Sequence, residues 1–447
     1  MNSKFAKVCL ILLTGVIAAG GTYAQENERD KRDRQKTKQA QAVSKEVYDK
    51  IQQAQEKVDA EDYKGALRVL DHLNSDDKLT EYEKSNVLNY IGFVHYNMGN
   101  TIAAMKVYEE MLRIPSLEEQ IRKQTVYTLA QLSTMEEQYD QAIRLLEDWF
   151  VLELNPAPDP FILYAQNLYQ VNRYADMIKP IERAMEVAVK REKPIKEDWY
   201  VLLNFAYFQQ ENYRKVRDIQ KILLVSWPKK RYWFSLAGAF TELGEENNLF
   251  ASYDAAHTQG LLERESELVT MAQLYMQNEV PYKAAILLSA EMEDGRVQRN
   301  AKNYRLLSQA WQLAQEDERS VPALKEAARL SDEGELNLRL GNAYLNLGRY
   351  ADCVSAVQAG LRKGGIKSPD NAQISLGMCL YNQQKYSAAI KAFREARKTR
   401  RSARMSDQWI KVINSDIARN EQIALAEAAA RKQIRELAKR REASGRT

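Results

Sequence analysis

The chain reads LGNAYLNLGRYADCVSAV over residues 340–357, and 36 residues later it reads LGMCLYNQQKYSAAIKAF over residues 376–393. Gly341 returns as Gly377, Tyr350 as Tyr386, small Cys353 as small Ala389, and apolar Val357 as Phe393. Apolar residues three and four apart mark one face of a helix. Leu347-Gly348 interrupts the first copy where a turn would separate two helices.

The same landmark, Tyr then a small residue three on then a large apolar residue four further, recurs upstream. It stands at Tyr63-Ala66-Leu70, Tyr139-Ala142-Leu146 and, less well, Tyr174-Met177-Ile181. Before each lies a large-small pair such as Ile91-Gly92, Leu129-Ala130 or Leu340-Gly341. The spacing from Tyr139 to Tyr174 is 35 residues and from Tyr174 to Tyr213 it is 39. A period of this length holds two helices and two short turns. One such hairpin cannot bury its apolar face alone, so copies must stack. In this reading Gly92, Gly341 and Gly377 let the paired helices approach, and Ala66, Ala142 and Ala389 meet them from the second helix. Met177 in place of a small residue and Pro180 just after it predict a kinked second helix in the fourth copy.

The composition agrees. Of 447 residues, 45% are hydrophobic and 28% charged, and Gly (18) and Pro (10) are scarce, which favours helix. The formal net charge of +4 gives no whole-chain field for nucleic acid, and none is expected as a partner.

Leu-Gly-x-x-Tyr, then Gly-x-Tyr, then Ala and Phe, resembles the tetratricopeptide repeat. Copies starting near Val47, Ser85, Lys123, Pro158, Glu197, Lys230, Glu265, Ala301, Gly334 and Asp370 cover about four-fifths of the chain. The resemblance implies an all-α fold: a right-handed superhelical solenoid of about ten degenerate hairpins, with a C-terminal capping or extended helix.

Four segments follow. Residues 1–24 carry Lys4 and Lys7, an apolar run from Val8 to Ala19, and Thr22-Tyr23-Ala24 before Gln25, the layout of a secretory signal cleaved after Ala24. Residues 25–43 are a charged leader with almost no apolar residues, read as disordered. The repeats run over 44–404. Residues 405–447 form a capping helix and basic tail, periodic through Trp409, Ile410, Ile413, Ile417, Ile423, Leu425, Ile434 and Leu437. Export to a Gram-negative periplasm is the expectation. After cleavage Cys353 and Cys379 remain; an oxidising compartment permits a bridge between them, but both read first as small core residues on helices.

Catalytic signals are missing. His72, His95 and His257 lie in different copies without a carboxylate at triad or metal spacing, and no HExxH, GxSxG or phosphate-loop motif occurs. No metal or cofactor is expected, and the chain is read as non-enzymatic. Binding remains. In a solenoid of hairpins the first helices line the concave face, and Phe93, Tyr96, Tyr127, Tyr169, Phe205, Phe208, Phe234 and Tyr381 fall on it by register. They either pack against neighbouring copies or line a groove for an extended peptide or helix, with Phe205 and Phe208 leading the second reading. Arg397, Lys398, Arg400, Arg401 and Arg404 form a basic patch with no acid between them. The terminal stretch RKQIRELAKRREASGRT, residues 431–447, is also basic, and each is either a solvated helix end or a contact for an acidic partner or anionic membrane headgroups.

The layout as a whole, with stretches such as YNMGNTIAAMKVYEEML (residues 96–112), is similar to periplasmic tetratricopeptide-repeat proteins encoded beside TonB–ExbB–ExbD systems. That resemblance implies a scaffold for energised outer-membrane uptake, for example of iron complexes, with TonB, ExbB or ExbD components as partners. The alternative is an assembly or organising factor for secretion, pilus, polysaccharide-export or cell-wall machinery.

Overall fold

A computed structural model describes residues 43–443 and residue 445. The expected signal peptide and the leader up to residue 42 lie outside the described residues. Among the described residues the chain is all-α, with 21 helices and no strand.

Two compact units divide it at residue 210. The first holds four hairpins and a ninth helix. The hairpins are α1 (Lys45–Asp59) with α2 (Tyr63–Asn74), α3 (Glu81–Asn97) with α4 (Thr101–Leu112), α5 (Glu119–Met135) with α6 (Tyr139–Leu152), and α7 (Pro158–Gln170) with α8 (Ile178–Lys190); α9 (Glu197–Gln209) follows. The second unit opens with α10 (Tyr213–Ser226). Its hairpins are α11 (Lys230–Glu242) with α12 (Glu246–Thr258), α13 (Glu265–Gln277) with α14 (Pro281–Glu293), and α15 (Ala301–Leu313) with α16 (Asp317–Leu330). Next come α17 (Glu335–Asn346) with α18 (Tyr350–Lys363), α19 (Pro369–Asn382) with α20 (Tyr386–Arg397), and last the 44-residue α21 (Arg400–Ala443). This last helix starts five residues before the boundary drawn at 405.

Local chemistry starts the helices. The Asp62 carboxylate accepts from the Gly65 N–H at 2.9 Å, and Asn300 Oδ1 accepts from the Asn303 N–H at 2.9 Å. Each satisfies an amide that the helix cannot. The turns inside the pairs share a device that the sequence shows only in part. Gly99, Gly244 and Gly348 stand two residues before the second helix with positive φ, and Glu61, Glu137, Glu279, Gln315 and Gln384 hold the same place at φ 57–60°. A side chain costs about 1–2 kcal/mol there. The following N–H offsets this by closing back on the first helix, as in Asp62 N–H to Lys57 O at 2.8 Å and Lys385 N–H to Leu380 O at 2.9 Å.

Packing corrects one expectation. The space over the glycine of the first helix is filled chiefly by the large residue of the second, not by its small one, and at Gly341 the carbonyl oxygen of small Cys353 also comes close. A Cβ on Gly377 would lie 2.8 Å from the Phe393 ring and one on Gly92 2.7 Å from the Tyr108 ring, and one on Gly341 would run into Val357 Cγ2. Ala66, Ala142 and Ala389 are fully buried but serve the general core. Pro180 is the second correction. It causes no kink, because α8 begins only at Ile178 and Pro180 sits in its first turn, where no intrahelical N–H bond is lost. Met177, fully buried, ends the turn that replaces the missing helix start.

The cysteines are the third correction. Cys353 on α18 and Cys379 on α19 form a disulfide, with Cα atoms 6.2 Å apart. Both are also fully buried, so the core reading of each position holds while the unpaired reading does not. Side-by-side helices of successive hairpins bring the two Cα atoms within the disulfide range of about 4.4–6.8 Å.

Buried carboxylates tie helix starts together. Glu83, on α3, accepts from the Ser44 N–H at 2.9 Å and the Thr80 N–H at 3.0 Å. Glu267, on α13, accepts from the Glu263 and Arg264 N–H groups at 3.0 and 3.1 Å and pairs with Lys230 at 3.0 Å. Burial pushes both acids up, but these donors outweigh it and hold each at about 2. A carboxylate whose folded value is depressed contributes stability above its unfolded value and loses it as pH falls through the folded one. Thermal stability is therefore expected to fall as pH drops from about 4.5 toward 2. Circular dichroism melts of wild type and Glu83→Gln check this: the variant should melt lower at neutral pH and lose less on acidification. Equal acid losses in the two would remove Glu83 from the account.

Candidate functional site

The predicted groove aromatics do not form one surface. In the first unit Tyr169 and Phe205 come together, with ring centroids 5.0 Å apart, and Tyr174 joins them at 5.9 and 5.2 Å. Tyr174 entered the sequence reading only as a repeat landmark. Phe208 lies one turn beyond Phe205 on α9 and is 51% exposed, and Val201 lies one turn before it at 37%. Positions 201, 205 and 208 share a helix face. They form an apolar stripe edged by Tyr169, itself 38% exposed.

Tyr127 belongs elsewhere. Its ring is 4.9 Å from Trp149, and burial, then the charge of Asp159, pushes its phenol up to about 12. Phe93 and Tyr96 are half-buried, and Tyr96 packs on the core of the first hairpins.

In the second unit Phe234 is half-buried, 5.5 Å from the Tyr253 ring and 5.7 Å below the Lys230 ammonium. Tyr381 is a correction. Its hydroxyl donates to Asp416 on α21 at 2.7 Å and its ring lies 5.3 Å from Trp409, so the capping helix already occupies it.

The basic patch is corrected too. Acids from outside the run meet three of its five cations. Arg401 forms a two-point ion pair with Asp370 (Nε to Oδ2 2.7 Å), Arg397 pairs with Asp407 at 2.8 Å, and Lys398 with Glu395 at 2.5 Å. Asp370 is buried at the first turn of α19 and also accepts from Ser402 Oγ at 2.5 Å. Hydrogen bonds from Arg401, then Ser402, hold its carboxyl well below the usual range. Arg401 thus clamps α21 onto the last hairpin, and Arg400 and Arg404 are exposed.

A polar cleft of about 300 Å³ in the second unit was not anticipated. Gln309 and Gln312 of α15 and Asn342 and Asn346 of α17 line it, beside Asp317 and Arg339. Its trace in the sequence is the repeat register itself, since Gln309 and Asn342 each follow the small residue of their copy, Ser308 and Gly341. Side-chain amides both donate and accept, as a peptide backbone does.

Of the histidines, His257 Nδ1 lies 3.4 Å from the Tyr275 hydroxyl, and His95 is lowered by burial. Among the described residues no group of three His, Cys, Asp or Glu side chains is placed to hold a metal, and no helix is long and apolar enough to cross a membrane.

Among solved structures to which the chain is similar are three whose identities run from 13% to 15%. Naa15/Naa10 bound to HypK-THB is 13% identical, over 81% of this chain and 66% of that one, with a TM-score of 0.44. The TPR2AB-domain:pHSP90 complex of yeast Sti1 is 14% identical, over 65% and 98%, at 0.31. YrrB, described as a TPR protein with an unusual peptide-binding site, is 15% identical, over 39% and 89%, at 0.32. No curated protein matches the chain. The tetratricopeptide repeat profile matches residues 338–404, from α17 to the start of α21. Those residues hold both stretches with which the repeat was first read, the two glycine-to-large contacts at Gly341 and Gly377, and the paired helices that such a repeat requires. Residues 338–404 of this chain therefore carry tetratricopeptide repeats.

Proposed function

We propose that the chain is an exported, non-enzymatic scaffold that binds polypeptide partners and supports a TonB-type uptake system of the cell envelope. Tetratricopeptide-repeat proteins generally mediate protein–protein interaction. The observation that carries it is the apolar face of α9, where Val201 and Phe208 are exposed and half-buried Phe205 lies between them against Tyr169. Apolar side chains left contiguous on a helix face mark a surface that another apolar face can cover. The amide-lined cleft offers main-chain recognition in the other unit. Export is supported by the basic-then-apolar start of the sequence and by the disulfide, since such bonds persist in oxidising compartments. The TonB link rests on the overall layout.

The test is recovery of the tagged chain from cross-linked cell envelopes grown with and without iron. Enrichment of TonB, ExbB or ExbD, lost in Phe205→Ala/Phe208→Ala while circular dichroism shows the variant still folded, is the expected result. Recovery of export-machine or cell-wall proteins instead would overturn the uptake role. Capture that is indifferent to the double substitution would remove the stripe.

A further inference from the structure

The last helix changes character halfway. Up to Ile417 it is held by the final hairpin: Ile413 is fully buried, Trp409 stacks on Phe393 at 5.6 Å, and Asp416 binds Tyr381. From Ala418 to Glu442 every residue is exposed, over about 37 Å of helix. Ile423, Ala426, Ala430, Ile434 and Leu437 recur at steps of three and four, which sets them on one face. Ile423, Ile434 and Leu437 are 50%, 65% and 58% exposed.

Over residues 431–443 the other faces are cationic, while over 418–430 they carry alanines, exposed Leu425, Arg419, Glu421 and Glu427. Between residues 431 and 443 there are six Lys or Arg against two Glu. Arg431, Lys432, Arg435 and Lys439 fall on the sides and back of the stripe by the helix angle. Arg431 has only a long ion pair with Glu427, at 3.7 Å.

We propose that residues 418–443 lie on the surface of an anionic phospholipid bilayer, the apolar stripe entering the headgroup boundary and the basic side chains reaching the phosphates. Charge selects this occupant. A second copy lying parallel would set one cationic end against another, whereas phosphate headgroups supply opposite charge to the basic half, residues 431–443. Three large apolar side chains are too few to hold a membrane alone, and long Lys and Arg stems add apolar contact while their heads stay with the phosphates. The repeats would then be tethered at one end through a helix that cannot cross the bilayer.

Vesicle co-sedimentation tests this, using the chain from Gln25 onward so that the apolar run at 8–19 does not contribute. Binding to phosphatidylglycerol/phosphatidylethanolamine vesicles, weakened by salt and missing with phosphatidylcholine, is the expected result. Each basic side chain near such a surface is worth about fivefold in affinity, so Lys432→Glu/Arg435→Glu/Lys439→Glu should bind roughly 100-fold more weakly. Deletion after Arg419 should abolish binding with an unchanged melting temperature, since the deleted residues touch no core. No binding to the anionic vesicles, equal binding to phosphatidylcholine, or binding that survives the deletion would each overturn the proposal. So would a dimer in sedimentation equilibrium that the deletion converts to monomer, if the vesicles are not bound.

Discussion

Phe393→Ala is expected to cost about 3–5 kcal/mol, the usual loss when a fully buried aromatic ring leaves a cavity. The ring is completely buried, occupies the space over Gly377, and stacks within 4° of parallel on Trp409. Two joints therefore depend on it: the α19–α20 hairpin and the seat of α21. Neighbouring hairpins contact only their neighbours, so the loss should appear first as local opening at this end. Urea unfolding measures the total, and limited proteolysis shows whether α21 is released before the rest. A loss below about 1 kcal/mol would mean that the joint repacks without the ring. The reverse change, Gly377→Ala, overfills the same contact and should cost about 1–3 kcal/mol. Gly377→Ala combined with Phe393→Leu should cost less than the sum of the two, because the smaller side chain makes room for the methyl group.

Removing the Cys353–Cys379 bond is the second large change. It closes a loop over a sequence separation of 26 residues, and a cross-link of that size contributes about 2–4 kcal/mol, mainly by restricting the unfolded chain. Cys353→Ala/Cys379→Ala is the informative variant. Both sites are fully buried and alanine is small and apolar, so the core is nearly preserved and the loss reports the cross-link. Wild type melted with a reductant should match the double variant within the cavity cost of two sulfur atoms. Reductant should not move the variant. Thiol labelling of denatured protein taken from cells adds a test of compartment: two blocked cysteines fit export, and two freely labelled ones would argue against it.

Much of the architecture was legible because repetition samples the same physics many times. One glycine before one tyrosine means little, but Gly92, Gly341 and Gly377 at a common offset set both the helix pairing and its period. The C-terminal cap was readable for the same reason, since Trp409, Ile410 and Ile417 keep helical spacing and pack on the last core as that spacing required. The turns were half legible. Glycine flags positive φ at Gly99, Gly244 and Gly348, yet glutamate and glutamine take it elsewhere because the closing hydrogen bond, not the residue type, fixes the backbone.

The site was the least legible part. Helical register assigns a residue to a face but does not say what covers that face. Tyr381 and Phe205 have the same pattern credentials; α21 lies on one, and Tyr169 and Tyr174 gather round the other. Arg401 looked free because its acid, Asp370, lies 31 residues upstream. Spacing cannot say whether two small buried cysteines are bonded, since that depends on a Cα separation set by how neighbouring hairpins settle. Period and helix content are local and recur, so the order of residues fixes them. Which aromatic stays exposed, which cation is paired and which thiols meet depend on residues far apart in the chain, and those contacts exist only once the hairpins have stacked.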